Sequence, residues 1–392
     1  MKYLKKFENH SQYESYMKGG GVALPNVSLC EQENEVHYNP WTWANAYLTF
    51  VAKESGTFTF TPQNSNVISY STDGGETWTD GNSVAVNSGD KVMWKGTMTP
   101  SSNGIGTFSS NGNFDIQGNV MSLLYGDNFN GQTSLTGKNY AFCRLFYQNT
   151  NVINAKNLSL PATTLEQRCY ERMFQGCTNL TTTPKLPATT LAEYCYSNMF
   201  GGCTSLTTAP ELPATTLANT CYANMFMGCT ALTTPPELPA TTLTSYCYNY
   251  MFRGCTALTT APALPATTLG SYCYQSMFQG CTSLTTAPEL PATTLTSNCY
   301  NSMFYDCTSL TTAPELPATT LTGYCYEYMF RNCTNLNYIK AMFTTTPTTS
   351  YTNNWVNGVA ATGTFVKNSA ATWTTTGNNG VPNGWTVETA SA

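Results

Sequence analysis

Leu186-Pro187-Ala188-Thr189-Thr190-Leu191, followed by Cys195-Tyr196, Met199-Phe200 and Cys203-Thr204-Ser205-Leu206, is one copy of a 26-residue unit. The Leu-Pro-Ala-Thr-Thr-Leu element begins at Leu160, Leu186, Leu212, Leu238, Leu264, Leu290 and Leu316. A fixed period of this length means a solenoid, in which each repeat adds one coil and no coil buries its apolar face alone. Solenoids present surfaces more often than they perform chemistry, so the repeat points to binding or structure.

Within the copy, Cys195, Tyr196, Met199 and Phe200 fall at i, i+1, i+4 and i+5. That is the spacing of one face of about one and a half helical turns. Gly202 predicts release from the helix. The Thr-rich stretch 205–209 predicts a short strand, and Pro210 and Pro213 predict an irregular return loop. Successive strands are expected to pair in a parallel ladder at about 4.8 Å per coil.

The chain has 16 cysteines. Two occupy each repeat, eight residues apart: Cys169 and Cys177, Cys195 and Cys203, Cys221 and Cys229, Cys247 and Cys255, Cys273 and Cys281, Cys299 and Cys307, Cys325 and Cys333. They sit among Tyr, Met, Phe and Leu, so a stacked ladder of reduced core thiols is the favoured reading. An intra-coil disulfide is the alternative and requires an oxidising compartment. Zinc comes last, because the close paired spacing of structural sites is absent.

Charged residues make up only 10% of the 392, with net charge -5 and no basic run. Nucleic acid is therefore not an expected partner. No apolar run approaches the length of a transmembrane helix, so no membrane insertion is expected. The N-terminus carries the charges of a signal peptide without its apolar centre, so the chain is expected either to be made in the cytoplasm or to have lost its signal.

Outside the array, residues 1–40 read as an arm. A capping box at Ser11 and Glu14 predicts a short helix, and two extended pieces follow around Cys30 and His37. Residues 41–125 alternate apolar and polar residues between Gly- and Asp-rich turns, which predicts a small antiparallel sandwich-like domain. Ala141-Phe142, Leu145-Phe146 and Asn149-Thr150-Asn151-Val152 match the repeat with both cysteines replaced, so 126–159 read as a degenerate first coil. The regular coils occupy 160–339. Residues 340–392 lose the period but keep Trp355, Phe365, Trp373 and Trp385, and read as a C-terminal cap.

Specificity has to reside where the copies differ. One column holds Arg168, Tyr194, Thr220, Tyr246, Tyr272, Asn298 and Tyr324. Another holds Gln175, Gly201, Met227, Arg253, Gln279, Tyr305 and Arg331. Tyr250 and Tyr328 share the face of Tyr246 and Tyr324. Tyr and Arg are enriched at contact sites, so Tyr194, Tyr246, Tyr250, Arg253, Tyr272, Tyr305, Tyr324, Tyr328 and Arg331 form the candidate binding surface. A merely solvated convex face is the competing reading, and the flat Thr surface is an alternative contact face.

Catalytic, cofactor and metal sites are not expected. His10 and His37 are the only histidines, and no nucleotide or metalloprotease motif appears. Ser71-Thr72-Asp73-Gly74-Gly75-Glu76-Thr77-Trp78 is similar to the Asp-box of sialidases and related propellers. There it is a hairpin turn fixed by Asp, with Trp packed beneath, and not a catalytic element. Asp73 and Trp78 are read here as structural in the same way.

Met199-Phe200-Gly201-Gly202-Cys203-Thr204-Ser205-Leu206 resembles the Ala-Phe-x-x-Cys-x-x-Leu core of BspA-like leucine-rich repeats, with Met in place of Ala and a period about three residues longer. Arrays of this kind, with flanks like Gly118–Asp127 and Gly380–Trp385, resemble proteins of gut Bacteroidota and their bacteriophages. The resemblance implies an α+β fold, with an N-terminal antiparallel β-sandwich-like domain followed by a leucine-rich-repeat solenoid of seven coils plus degenerate caps. It also implies a non-enzymatic, surface-displayed role. A bacteriophage virion component contacting a host surface or glycan is the expectation, and a secreted or cell-surface adhesin is the alternative. Expected partners are a protein or glycan on a bacterial or host surface, with other virion proteins and a homo-oligomer also compatible.

Overall fold

The computed structural model describes residues 43–390. The arm helix and extended pieces expected before residue 41 lie outside these residues. Strands outnumber helices, and the helices are single turns such as Ser122–Tyr125 and Thr349–Thr352.

The N-terminal part builds two open sheets. Strands β1 (Leu48–Ala52), β3 (Ile68–Ser71), β4 (Thr79–Asp80), β6 (Lys91–Gly96), β8 (Phe114–Asn119) and β9 (Val152–Ser159) form one, in the order β4-β3-β6-β1-β8-β9. Strands β2 (Gly56–Pro62), β5 (Ser83–Val86) and β7 (Gly106–Ser110) form the other, in the order β5-β2-β7. Alternating burial along β5 and β6 marks one apolar face on each. Phe50 of the first sheet meets Phe58 and Phe108 of the second edge-on, with centroids 5.3 and 4.7 Å apart. Such aromatic pairs add to the apolar area they bury.

This aromatic core runs without a break into the repeats. β9 lies in the segment read as a degenerate coil, and it extends the six-stranded sheet by parallel pairing with β8. Phe108 stacks on Phe146 at 5.8 Å, and Phe146 on Phe174 at 5.2 Å. From there two ring columns descend the array, one of Phe and one of Tyr. Phe200–Phe226 and Tyr196–Tyr222 are both 5.8 Å apart, with planes within 12° of parallel. The sheet domain therefore supplies the first rung of the solenoid interior and covers its N-terminal end.

The stretch expected to be helical is not a helix. Its odd-numbered amides bond three residues back: Cys195 to Ala192, Ser197 to Tyr194, Met199 to Tyr196, Gly201 to Asn198, each within 3.1–3.3 Å. The intervening amides reach the next coil: Tyr194 to Asn219, Tyr196 to Cys221, Asn198 to Ala223, Phe200 to Met225, Gly202 to Met227. The segment is thus a chain of β-turns, each closing on a left-handed residue at Tyr194, Asn198 and Gly202. A four-residue turn period places two side chains in and two out. Over eight residues that pattern is the same as the i, i+1, i+4, i+5 face of a helix, which explains the difference. The deciding partner of each amide lies in another coil, where local periodicity gives no information.

The Thr-rich ladder is also reduced. Coils touch there through single parallel bridges such as Thr208↔Thr234, Thr260↔Thr286 and Thr190↔Thr216. Regular parallel strands return only at the C-terminal end, in β10 (Tyr338–Ala341), β11 (Thr364–Lys367) and β12 (Thr386–Thr389). The segment in which the sequence period disappears therefore continues the stack. Tyr326 and Phe330 donate their amides to Tyr351 and Trp355 as if to another repeat. The indoles of Trp355, Trp373 and Trp385 donate to the carbonyls of Gly380, Phe343 and Ala360. Bulky rings with a satisfied N–H fill the volume that repeat side chains fill elsewhere.

Candidate functional site

All fifteen cysteines in the described residues are buried and free. The second cysteine of each copy points its thiol at a carbonyl of the preceding coil, as Cys203 does to Phe174 at 3.2 Å and Cys255 to Phe226 at 3.1 Å. Burial pushes these thiols up, to about 12 for Cys229 and Cys281. They are packing groups held in the protonated form. Among the described residues no cluster of three or more His, Cys, Asp or Glu could hold a metal ion, and no helix is long and apolar enough to cross a membrane.

Asp73 ties the β3–β4 hairpin. It accepts both the amide and the hydroxyl of Thr77 and the hydroxyl of Ser71, while Ser71 Oγ accepts the Gly75 amide. The Thr77 bonds, with Ser71, hold its carboxyl well below the usual carboxylate range. Trp78 is half-buried beside the sheet, with the Tyr47 ring 4.9 Å away and Lys95 Nζ 4.1 Å from its centroid.

The turns project their outward pairs on one face. Tyr194, Tyr246, Tyr272 and Tyr324 share one left-handed column, with φ between 56° and 59°. Tyr250 and Tyr328 stand in a second left-handed column, at 55° and 54°. A third left-handed column is glycine at Gly176, Gly202, Gly228, Gly254 and Gly280, then Asp306 and Asn332. The third column follows steric expectation, since Gly, Asn and Asp tolerate this conformation best. The tyrosine columns do not.

The structure groups most of the predicted residues into short stacks. Tyr246 lies on Tyr272 at 4.6 Å with planes 6° apart. Burial, then Tyr272, raises the Tyr246 hydroxyl above its ordinary range. The guanidinium of Arg253 sits 5.3 Å from the Tyr250 ring, and that of Arg331 sits 5.5 and 5.4 Å from Tyr305 and Tyr328. Tyr194 is separated from this group by the coil of Thr220 and pairs instead with Arg168, 3.9 Å from its ring. Tyr324 is separated from Tyr272 by Asn298, and is 48% exposed.

A polar row beside these columns escaped the sequence comparison. Arg168 and Arg172 both reach Glu171, at 2.8 and 3.5 Å. Further along, Asn249 bonds Gln275, and Asn301 and Asn353 bond the two oxygens of Glu327. The signal was a column of amides and carboxylates one position before Tyr250, legible once outward positions are counted in pairs. The row locks the aromatic columns laterally, since hydrogen bonds to charged groups are the stronger kind. On the Thr surface, by contrast, hydroxyls are spent on the stack: Thr233 donates to Thr207 and Thr285 to Thr259, both at 3.3 Å.

A family model described as a BspA-type leucine-rich repeat region matches the chain in six copies, over residues 144–277 and 248–356. No curated protein is matched.

Proposed function

The chain belongs to the BspA-type leucine-rich repeat family, and from that premise we propose that it is a non-enzymatic display protein whose turn face binds a partner. Repeats of this type point to a surface or binding protein in general. The observation that carries the specific reading is backbone strain at the outward tyrosines, of which Tyr246 and Tyr324 are exposed and the others half-buried. Tyr194, Tyr246, Tyr250, Tyr272, Tyr324 and Tyr328 all hold φ between 54° and 59°, where a bulky residue costs about 1–2 kcal/mol. Gly or Asn would remove most of that cost. Strain retained at aromatic residues on the outward side of the turns supports a binding role.

The test is an array of immobilised glycans and surface proteins probed with the labelled chain. The variant carrying Tyr246→Ala, Tyr250→Ala and Arg253→Ala is expected to lose at least about tenfold in affinity for whatever the wild type captures, about 1.4 kcal/mol. Its melting temperature is expected to hold. Unchanged capture removes the turn face from consideration.

As the display setting we put forward a bacteriophage virion, supported by the resemblance of the flanking segments Gly118–Asp127 and Gly380–Trp385 to phage and Bacteroidota proteins. Detection of the chain in purified particles supports this setting, and its recovery in a bacterial envelope fraction instead assigns it to a cellular adhesin.

A further inference from the structure

The first aromatic column of the turn face is a stack interrupted twice, at Thr220 and at Asn298. Arg168 covers one face of Tyr194 at 3.9 Å, and Tyr272 covers one face of Tyr246 at 4.6 Å. The coil between Tyr194 and Tyr246 carries Thr220 at the same left-handed position, with φ 61°. Neighbours in the column lie on opposite faces of each ring, so the free faces of Tyr194 and Tyr246 look toward each other across Thr220. Their separation is two coil rises, about 10 Å. Stacked rings sit about 4.5–7 Å apart, so the gap accepts one further ring and no more. Tyr194 also contributes to the raised state of the Tyr246 hydroxyl, after burial and Tyr272, which places the two phenols within electrostatic reach.

We propose that the Thr220 gap is a binding slot for a single neutral pyranose ring, held between Tyr194 and Tyr246. This rests on the turn face being the binding surface. The chemistry of the surround selects the ligand. The outward side chains of the intervening coil are Asn219, Thr220, Asn224 and Met227, none of them charged. Arg168 lies behind Tyr194 and is already paired with Glu171, and the Glu193 carboxylate beside Tyr194 accepts from the Gln167 amide of the preceding coil at 3.3 Å, so the slot coil itself contributes no charge. An ionic side chain of a partner would find no opposite charge in the slot coil. A purely aromatic one would leave the amide and hydroxyl rim unpaired. A pyranose offers both complements: C–H bonds carrying partial positive charge toward the negative ring faces, and hydroxyls toward Asn219, Thr220 and Asn224. The column's other gap is occupied by its own residue, because Asn298 is 7% exposed and bonded to Asn301.

Saturation-transfer NMR on the full chain tests the slot, with methyl β-D-glucopyranoside, methyl β-D-galactopyranoside and methyl α-D-mannopyranoside as probes. Transfer to at least one is expected. Thr220→Tyr, whose ring completes the stack, is expected to abolish it at an unchanged melting temperature. Thr220→Ala keeps the gap open and removes one rim hydroxyl, and is expected to weaken transfer without abolishing it. Tyr194→Ala removes one wall and is expected to weaken binding at least about tenfold, about 1.4 kcal/mol. Absence of transfer from all three sugars, or transfer unaffected by Thr220→Tyr and Tyr194→Ala, overturns the proposal. Displacement of the sugar role by N-acetyl-tyrosine amide also overturns it and assigns the slot to a protein side chain. Thr220→Tyr keeps Tyr246, Tyr250 and Arg253. Array binding lost in their triple alanine variant but kept in Thr220→Tyr therefore leaves the face standing and removes the slot alone.

Discussion

The thiol of Cys203 donates to the carbonyl of Phe174 in the preceding coil at 3.2 Å, and the same bond recurs from Cys177 to Phe146 and from Cys333 to Phe304. The cysteine is thus a small core side chain with one directed contact. Cys203→Ala removes the contact and leaves a void beside a stacked ring, and is expected to destabilise by about 1–2 kcal/mol. A urea midpoint unmoved by the substitution would show the contact to be incidental.

These thiols also predict alkaline sensitivity. Their folded-state ionisation is raised, to about 12 for Cys169, Cys221 and Cys299, by burial first. Unfolded cysteine ionises near pH 8.5. Above that pH the unfolded chain releases protons that the folded chain retains, so stability is lost as pH rises toward the folded value. Each ionising thiol removes about 1.4 kcal/mol per pH unit, and the thiols act together. Cooperative unfolding is expected to set in within about two units above pH 8.5. Circular dichroism across a pH series checks this, and a melting temperature flat to pH 11 contradicts it.

Gly254 holds φ +73°, and a Cβ added there would meet only atoms of Gly228, in ordinary van der Waals contact at 3.9 Å. Backbone conformation alone decides the substitution. Gly254→Ala is expected to cost about 1–2 kcal/mol, and Gly254→Asn less, since Asn332 holds φ 61° at the equivalent position. Thermal melts of the two variants give the order, and equal values would remove the left-handed argument.

Asn149 stands where later copies carry the second cysteine, and its amide donates to Phe108 of β7 at 3.1 Å. It joins the sheet domain to the array by the same contact that joins coil to coil. Asn149→Ala leaves a buried carbonyl short of a partner and is expected to cost about 1–3 kcal/mol. Hydrogen exchange should then rise on both sides of the junction together. A rise confined to the sheets would mean that they fold apart from the repeats.

Leu-Pro-Ala-Thr-Thr-Leu and its 26-residue spacing made the solenoid legible, because repetition alone requires stacked equivalents. Alternation at 84–86 and 91–96 did the same for β5 and β6. The turn chain at 192–203 was not legible as such, since the amides of Tyr194, Tyr196 and Asn198 find their partners in another coil. The continuation of the stack through Trp355, Trp373 and Trp385 was hidden for a related reason. Indoles fill the interior there in place of repeat side chains, so the volume is kept while the pattern is lost.

The tyrosine columns were visible as positions where copies differ. Their left-handed backbone, the stacking of Tyr246 on Tyr272 and the gap at Thr220 were decided by tertiary structure alone. Sequence determines which side chains recur and therefore which must be buried together. It does not determine which neighbouring coil satisfies a given amide, and that choice sets the direction in which every exposed ring points.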